Sequence, residues 1–386
     1  MSTASQGFDV GLIVPLGEEF DYVRELLPPQ QTIPRGHSFY FALKTPEDAP
    51  RMVAVVLDEM GEVPAAVATE RLLAEFAVRE VAMVGIAGAL KDDVGLGDVV
   101  IASKVDHYQH AAKAVPGKET GIEFRLAGNV LQGPPGLLQV ARNLPRMPEY
   151  AKMLDAWKSG TAARREQLGL SSELAAAAAH YVVAPIASGD IVGAAREFAR
   201  WLHDRRDRTL TAIEMEAAGA AYAAYARIQG VPMLVVRGIS DFADERKAEF
   251  DRIAGPQGKG AWRRYATMNA VDLLVRVLTC EAMMNATPDL AQSDLPAATM
   301  EIPPAKNLEE LERLVVARYP STAAIERLLA NTGIDPRLLD MSGAVLVVAH
   351  RGIQAAHKQG KLQHLVAAMR RDYPRDVELR RLSADS

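Results

Sequence analysis

The chain has 386 residues, enough for two or three domains at about 100–200 residues each. Its 49% hydrophobic and 24% charged residues exclude wholesale disorder, and a net charge of -5 argues against a dedicated nucleic-acid binder, which carries a basic excess. The lone Cys280 excludes an internal disulfide and a CxxC metal site, and Met1–Gly7 lacks the basic-then-apolar pattern of a signal peptide; with no apolar run near ~20 residues, the expectation is a cytoplasmic protein without a membrane span.

The first strand is predicted at Val10–Pro15, and Gly17-Glu18-Glu19 follows it directly. Loops at the carboxyl ends of strands build ligand sites in α/β sheets, so two adjacent carboxylates there can polarise water or bind hydroxyls. They read equally as the acidic first turn of a helix. A second strand is predicted at Met52–Leu57, a helix at Ala65–Val78 and a third strand at Val81–Gly85. The run Gly85-Ile86-Ala87-Gly88-Ala89-Leu90 then reads as a turn whose small residues let backbone N–H groups approach a ligand, or as a tight structural turn alone. It has neither the GxGxxG nor the GxxxxGK[ST] spacing, so the dinucleotide and P-loop fingerprints do not apply.

After a strand at Val99–Ala102, His107 and His110 stand three apart, with no further ligand cluster to make a metal site of them. Residues 129–180 break the alternation and read as a partly helical excursion over one side of the sheet. Its Arg164-Arg165 pair, with Arg205, Arg206 and Arg208 downstream, supplies candidate cations for the 5′-phosphates of a nucleotide; solvated helix faces are the plainer reading. Strands are predicted at Tyr181–Ile186, Leu210–Ile213 and Met233–Arg237. The second ends in Glu214-Met215-Glu216, two carboxylates inside an otherwise apolar run, where burial demands partners. A vicinal diol such as ribose offers one carboxylate two donors; helix-start acids are the other reading. The third ends in Ser240-Asp241, and a partly desolvated aspartate there can act as a general acid or cap a turn.

A helix is predicted over Ala261–Met284, then a Pro/Ala-rich linker over 286–306. Beyond it, Leu311, Leu314 and Val315, then Ile325, Leu328 and Leu329, then Leu362, Leu365, Val366 and Met369 recur at helical spacing, with Ser321 as an N-cap. The expected division is a catalytic domain over 1–285, the linker, and a small all-α bundle over 307–386. Continuous β-branched strands alternating with helices predict an α/β fold with a buried central sheet for the first part.

Taken together, GEE after the first strand, GIAGAL followed by VGLGDVVIA, then ASGDIVG, IEMEAAGAAYAA and VPMLVVRGISDFAD resemble the nucleoside phosphorylase/nucleosidase superfamily. The pattern is most similar to the methylthioadenosine/adenosylhomocysteine nucleosidases and spans most of residues 8–285. The resemblance implies a central mixed sheet flanked by helices and cleavage of a purine N-glycosidic bond. It further implies that Asp241 protonates the leaving base at N7, with Ser240 orienting it. Glu19 positions and activates water, Glu216 holds the ribose hydroxyls and Met215 lies beneath the sugar. Ala87 and Gly88 approach the ribosyl centre. Glu214 belongs to the same acidic motif and is expected at the substrate. Val192 stands where a base-stacking phenylalanine is usual, and Ile86 where a serine is common. No cofactor and no metal are implied. A dimer is implied, because sites of this superfamily are commonly completed across one.

Water is the expected nucleophile rather than phosphate. Glu18 and Glu19 repel a dianion, and Ile86 has no side-chain donor; at ~4 Å and an effective dielectric near 20, each like-charge contact costs about 4 kcal/mol. A phosphorylase in salvage and an inert nucleoside sensor are the rival readings.

In the last part, LEELERLVVARYPS, IERLLANTGID and AHRGIQAAHKQGKLQHLVAAMRRDYPRD resemble the effector-associated domains of bacterial conflict systems, although the usual tryptophan near Val347 is missing. The resemblance implies homotypic docking onto a partner protein that carries a like domain.

Overall fold

The computed structural model describes residues 7–116, 121–171, 175–191, 193, 195–227, 230–255, 258–286, 305–319, 321–336, 339 and 345–372. They fall into two compact units, Met1–Pro288 and Asp289–Ser386. Most of the expected linker, and Val192, lie outside the described residues.

In chain order the first unit comprises β1 (Val10–Val14), α1 (Gly17–Leu26), β2 (Pro29–Arg35), β3 (Ser38–Leu43), β4 (Met52–Val56), α2 (Glu62–Glu75), β5 (Glu80–Ala89) and β6 (Val99–His107). A hairpin, β7 (Lys113–Pro116) and β8 (Ile122–Arg125), stands apart from the main sheet. Then come β9 (Asn129–Gln132), α3 (Pro135–Asn143), α4 (Pro148–Gln167), β10 (Tyr181–Ser188), α5 (Arg196–Arg205), β11 (Ala212–Glu214), α6 (Ala217–Ala226), β12 (Met233–Asp241), α7 (Lys247–Phe250), a two-residue pair β13 (Ala254–Gly255) and β14 (Gly258–Lys259), and α8 (Ala261–Ala286).

One ten-stranded sheet runs β11-β10-β6-β12-β5-β1-β4-β3-β2, with β9 added to β6. β4, β1, β5 and β12 are mutually parallel, so β1, β5 and β12 end at one edge. The sheet also curls, because β11 pairs antiparallel with the end of β5, Ile213 beside Gly88. That closure brings the carboxylates after β11 to the ends of β5 and β12.

Side chains alternate between two cores, as period-2 strands require. Ile13, Val53 and Met83 face the layer formed by α2 and α6; Leu12, Val14 and Val84 face the layer that contains α1, α3, α4 and α8. Cys280 is buried in the second core on α8, and burial pushes its thiol up to about 11. Both faces are covered, which is why the central strands read as continuous apolar runs.

The α/β reading therefore stands, with differences that have local causes. Helix α2 begins three residues earlier than expected, at Glu62, after a Gly61 with φ 112° and with Pro64 in a first turn that needs no N–H from it. β5 runs through Ala89, so Ile86–Ala89 is strand rather than turn, paired on one side with β12 and on the other with β11. Strands β2 and β3 were not legible: β2 is exposed, contains Pro29 and Pro34, and is the sheet's edge, where proline is tolerated. The excursion supplies a strand, β9, as well as two helices that pack on α8.

The second unit is helical: α9 (Ala305–Arg318), α10 (Thr322–Asn331), α11 (Val345–Lys358) and α12 (Leu362–Asp372). Leu314, Ile325, Leu328, Val348, Leu365 and Met369 share one core. Ser321 caps α10 by accepting a hydrogen bond from the Ala324 N–H at 3.2 Å. Among the described residues no helix is long and apolar enough to cross a membrane.

Candidate active site

Every described residue of the expected site borders one cavity of about 200 Å³. Glu19 enters from the first turn of α1, directly after β1; Ile86, Ala87 and Gly88 come from the end of β5. Glu214, Met215 and Glu216 come from the junction of β11 and α6, and Ser240 and Asp241 from the end of β12. This crevice at strand ends is where open α/β sheets bind ligands.

Glu19 is 2% exposed. Its Oε1 accepts from the Ile86 N–H at 2.9 Å and its Oε2 from the Leu16 N–H at 3.1 Å. Burial raises its carboxyl above the ordinary range, against the opposing pull of Arg237 and those two N–H groups. The carboxylate is thus held at the cavity wall by backbone on both sides.

Arg237 lies at the bottom of this arrangement, fully buried. Its Nη2 donates to Glu214 Oε2, to Glu216 Oε2 at 3.1 Å and to Met83 Sδ at 3.1 Å. The glycine at 85 makes room for it. β12 and β5 place Arg237 opposite Gly85, where an added Cβ would press on the guanidinium and come within 2.9 Å and 3.0 Å of the two Glu19 carboxylate oxygens. A charge in the middle of MLVVRGIS is costly to bury unless paired, so this arginine adds to the signal of Glu214 and Glu216 a cue that motif spacing does not supply.

Glu214 and Glu216 divide their work. Glu214 accepts from the Glu216 N–H at 3.1 Å and from the Ala217 N–H at 2.9 Å, and grips Arg237. Its carboxylate is engaged by the start of α6 and by the guanidinium while it also borders the cavity. Glu216 is 6% exposed, holds Arg237 by one oxygen and accepts from the Gly61 N–H. Burial, with the charges of Glu214 and Glu19, pushes it up to about 7 against the pull of Arg237.

Asp241 is 1% exposed. Its Oδ1 accepts from the Ala243 N–H at 2.9 Å; its Oδ2 accepts from Ser240 Oγ at 3.0 Å and from Lys247 Nζ at 2.6 Å. Gly88 permits this approach, because an added Cβ would stand 2.8 Å from Asp241 Oδ1. Lys247 and Arg263 also line the cavity and were not singled out from the sequence. Both sit in charged runs, DERKAEF and KGAWRRY, that look like solvated surface. Arg263 pairs with Glu18 at 2.9 Å.

The cations expected for a 5′-phosphate lie elsewhere. Arg164 pairs with Asp272 and Asn269, Arg165 donates to the Ala176 carbonyl, and Arg206 pairs with Asp106 at 2.8 Å. Arg208 lines a separate surface depression, and Arg205 does not border the cavity. His107 Nε2 pairs with Glu62 at 3.0 Å, and its ring centre is 5.5 Å from that of His110. Among the described residues no group of three or more His, Cys, Asp or Glu side chains is placed to hold a metal ion.

The Phosphorylase superfamily matches residues 9–278, and Effector-associated domain 1 matches residues 300–386. The chain is 34% identical over 194 residues to the ATP nucleosidase Cap17 of Escherichia coli strain KTE188, covering 48% of this chain and 35% of that protein. The chain thus spans about a third of that relative's length. It is 32% identical over 240 residues to the 5′-methylthioadenosine/S-adenosylhomocysteine nucleosidase of Treponema pallidum, covering 61% of this chain and 81% of that one. The solved structure of the corresponding nucleosidase from Neisseria meningitidis aligns with 70% of this chain and 99% of that chain, at 23% identity and a TM-score of 0.49. Over residues 300–386 the chain is similar to effector-associated domain 1, and over residues 9–278 it belongs to the phosphorylase superfamily.

Proposed function

We propose that the chain hydrolyses the N-glycosidic bond of a purine nucleoside or nucleotide. The observation that carries this reading is the convergence of Glu19, Glu216 and Asp241 on one cavity, each buried and each oriented by backbone N–H groups. Asp241 protonates N7 of the departing base while Ser240 fixes its carboxyl. Glu216 takes the ribose hydroxyls above Met215, and Glu19 orients and deprotonates the attacking water as positive charge grows at the ribosyl carbon. Ala87 and Gly88 form the wall beside that carbon, with Ile86 next to them. General acid and base groups so placed each contribute typically about 10²–10⁴-fold.

Water suits this cavity better than phosphate. Its two cations, Lys247 and Arg263, are already paired with Asp241 and Glu18, and Glu19 would face an incoming dianion. The share of identity with two nucleosidases supports the same choice.

The chain is organised as a catalytic domain over 1–285, a linker over 286–306 and a helical adaptor over 307–386 that docks a like domain on a partner protein. The matched effector-associated domain and the likeness to Cap17 support a role in bacterial defence or signalling. The catalytic domain acts in the cytoplasm as a homodimer. Incubation with a panel of purine nucleosides, thioether nucleosides and nucleotides, with and without phosphate, tests the activity. Free base released without phosphate supports it; strict dependence on phosphate establishes a phosphorylase, and no release of any base while ligand still binds establishes a sensor.

A further inference from the structure

Asp241 is 1% exposed and opens only onto the cavity that substrate would fill, yet the proposed reaction strips it of a proton at every turnover. Of its partners, the Ala243 amide has no titratable proton, and Ser240 is itself buried at 2% exposure. Lys247 differs from both. Its ammonium nitrogen lies 2.6 Å from Asp241 Oδ2, its side chain is about a quarter exposed, and Asp241 is its ion-pair partner among the described residues. It descends from the one-turn α7, which Arg246 steadies by pairing with Asp244 at 2.6 Å and lying over the Phe242 ring at 4.9 Å. One side chain therefore spans from water to the buried carboxyl.

We propose that Lys247 is a positioning residue that keeps Asp241 supplied with its proton. As the glycosidic bond lengthens, both bonding electrons go to the base and N7 becomes basic. The proton on Asp241 passes to N7, and a proton from Lys247 Nζ passes along the existing hydrogen bond to Oδ2. The neutral amine reloads from bulk water. On the other side, the attacking water gives its oxygen and one hydrogen to the ribosyl carbon and its second proton to Glu19, which returns it to solvent, so no proton is created or lost. A lysine is fitted to this task because it carries three donors on a long stem, one to hold the carboxylate and others to meet water.

The inference rests on the nucleosidase reading, and its test separates the two. Base release is measured for the full chain and for Lys247→Met, Lys247→Arg and Lys247→Ala, the last with and without added ethylammonium. Lys247→Met is expected to lower kcat about 10–100-fold while KM changes less than threefold, the span expected of proton transfer. Ethylammonium on Lys247→Ala is expected to recover at least fivefold of the loss, whereas Lys247→Arg, which keeps the charge and the hydrogen bond but cannot give up its proton, is expected to stay as impaired as Lys247→Met. If Lys247→Met stays within threefold of the parent, if the loss falls on KM, if ethylammonium restores nothing, or if Lys247→Arg restores activity, Lys247 has no such role. If the parent itself releases no base, the nucleosidase reading falls and this inference with it.

Discussion

Arg237 and Glu216 meet 3.1 Å apart beneath the cavity floor, and the same guanidinium nitrogen also holds Glu214. One buried cation thus anchors two acidic side chains and lies close enough to Glu19 to oppose its burial. The three carboxylates depend on a residue that need not touch substrate.

Replacing Arg237 with Met leaves those carboxylates uncompensated. Breaking a buried ion pair from one side costs about 3–5 kcal/mol. Urea unfolding of Arg237→Met should show a loss of that size, and base release should fall more than a hundredfold. Unchanged stability would show that the cluster is not held together by this cation.

Gly85→Ala tests the space that Arg237 and Glu19 share. The added methyl comes within 3.0 Å of both Glu19 carboxylate oxygens, so the carboxylate must move. A displacement near 1 Å at a reacting group costs about a hundredfold. Steady-state kinetics should show that loss chiefly in kcat.

Glu80 offers a pH test away from the cavity. Burial, with Glu281 and Asp9 adding and Arg79 opposing, pushes its carboxyl up to about 7, against 4.5 when unfolded. Between those values the folded chain binds more proton than the unfolded one, so Glu80 lowers stability as pH rises through that window. Glu80→Gln should melt higher than the parent at pH 8, by about 2–3 kcal/mol, and match it near pH 4. A gap that persists at pH 4 would mean that the gain is unrelated to ionisation.

The helical unit has its own core, in which Leu328 is 1% exposed. Leu328→Ala should destabilise that unit by about 2–5 kcal/mol. Circular dichroism melts should show the loss while base release stays within twofold.

What could be read from the chain followed burial. Strands covered on both faces announced themselves as apolar runs, and Asp241 and Glu216 stood out because carboxylates ended such runs. Arg237 ends a comparable apolar run, but its carboxylate partners lie far away in sequence and only the fold brings them to it. Lys247 and Arg263 did not stand out, since a paired cation at a cavity wall and a solvated one have the same composition around them. Edge strand β2, exposed and proline-bearing, has no hydrophobic period to detect. The curl that pairs β11 with β5 depends on contacts far apart in sequence, so it brings Glu214 and Arg237 together without leaving a local trace.

The identity of the sugar product tests the central claim most directly. With a cleavable purine substrate and saturating phosphate, the account predicts free pentose, or its 5′-substituted form, and no pentose 1-phosphate by phosphorus NMR. Accumulation of a pentose 1-phosphate in step with free base would contradict it.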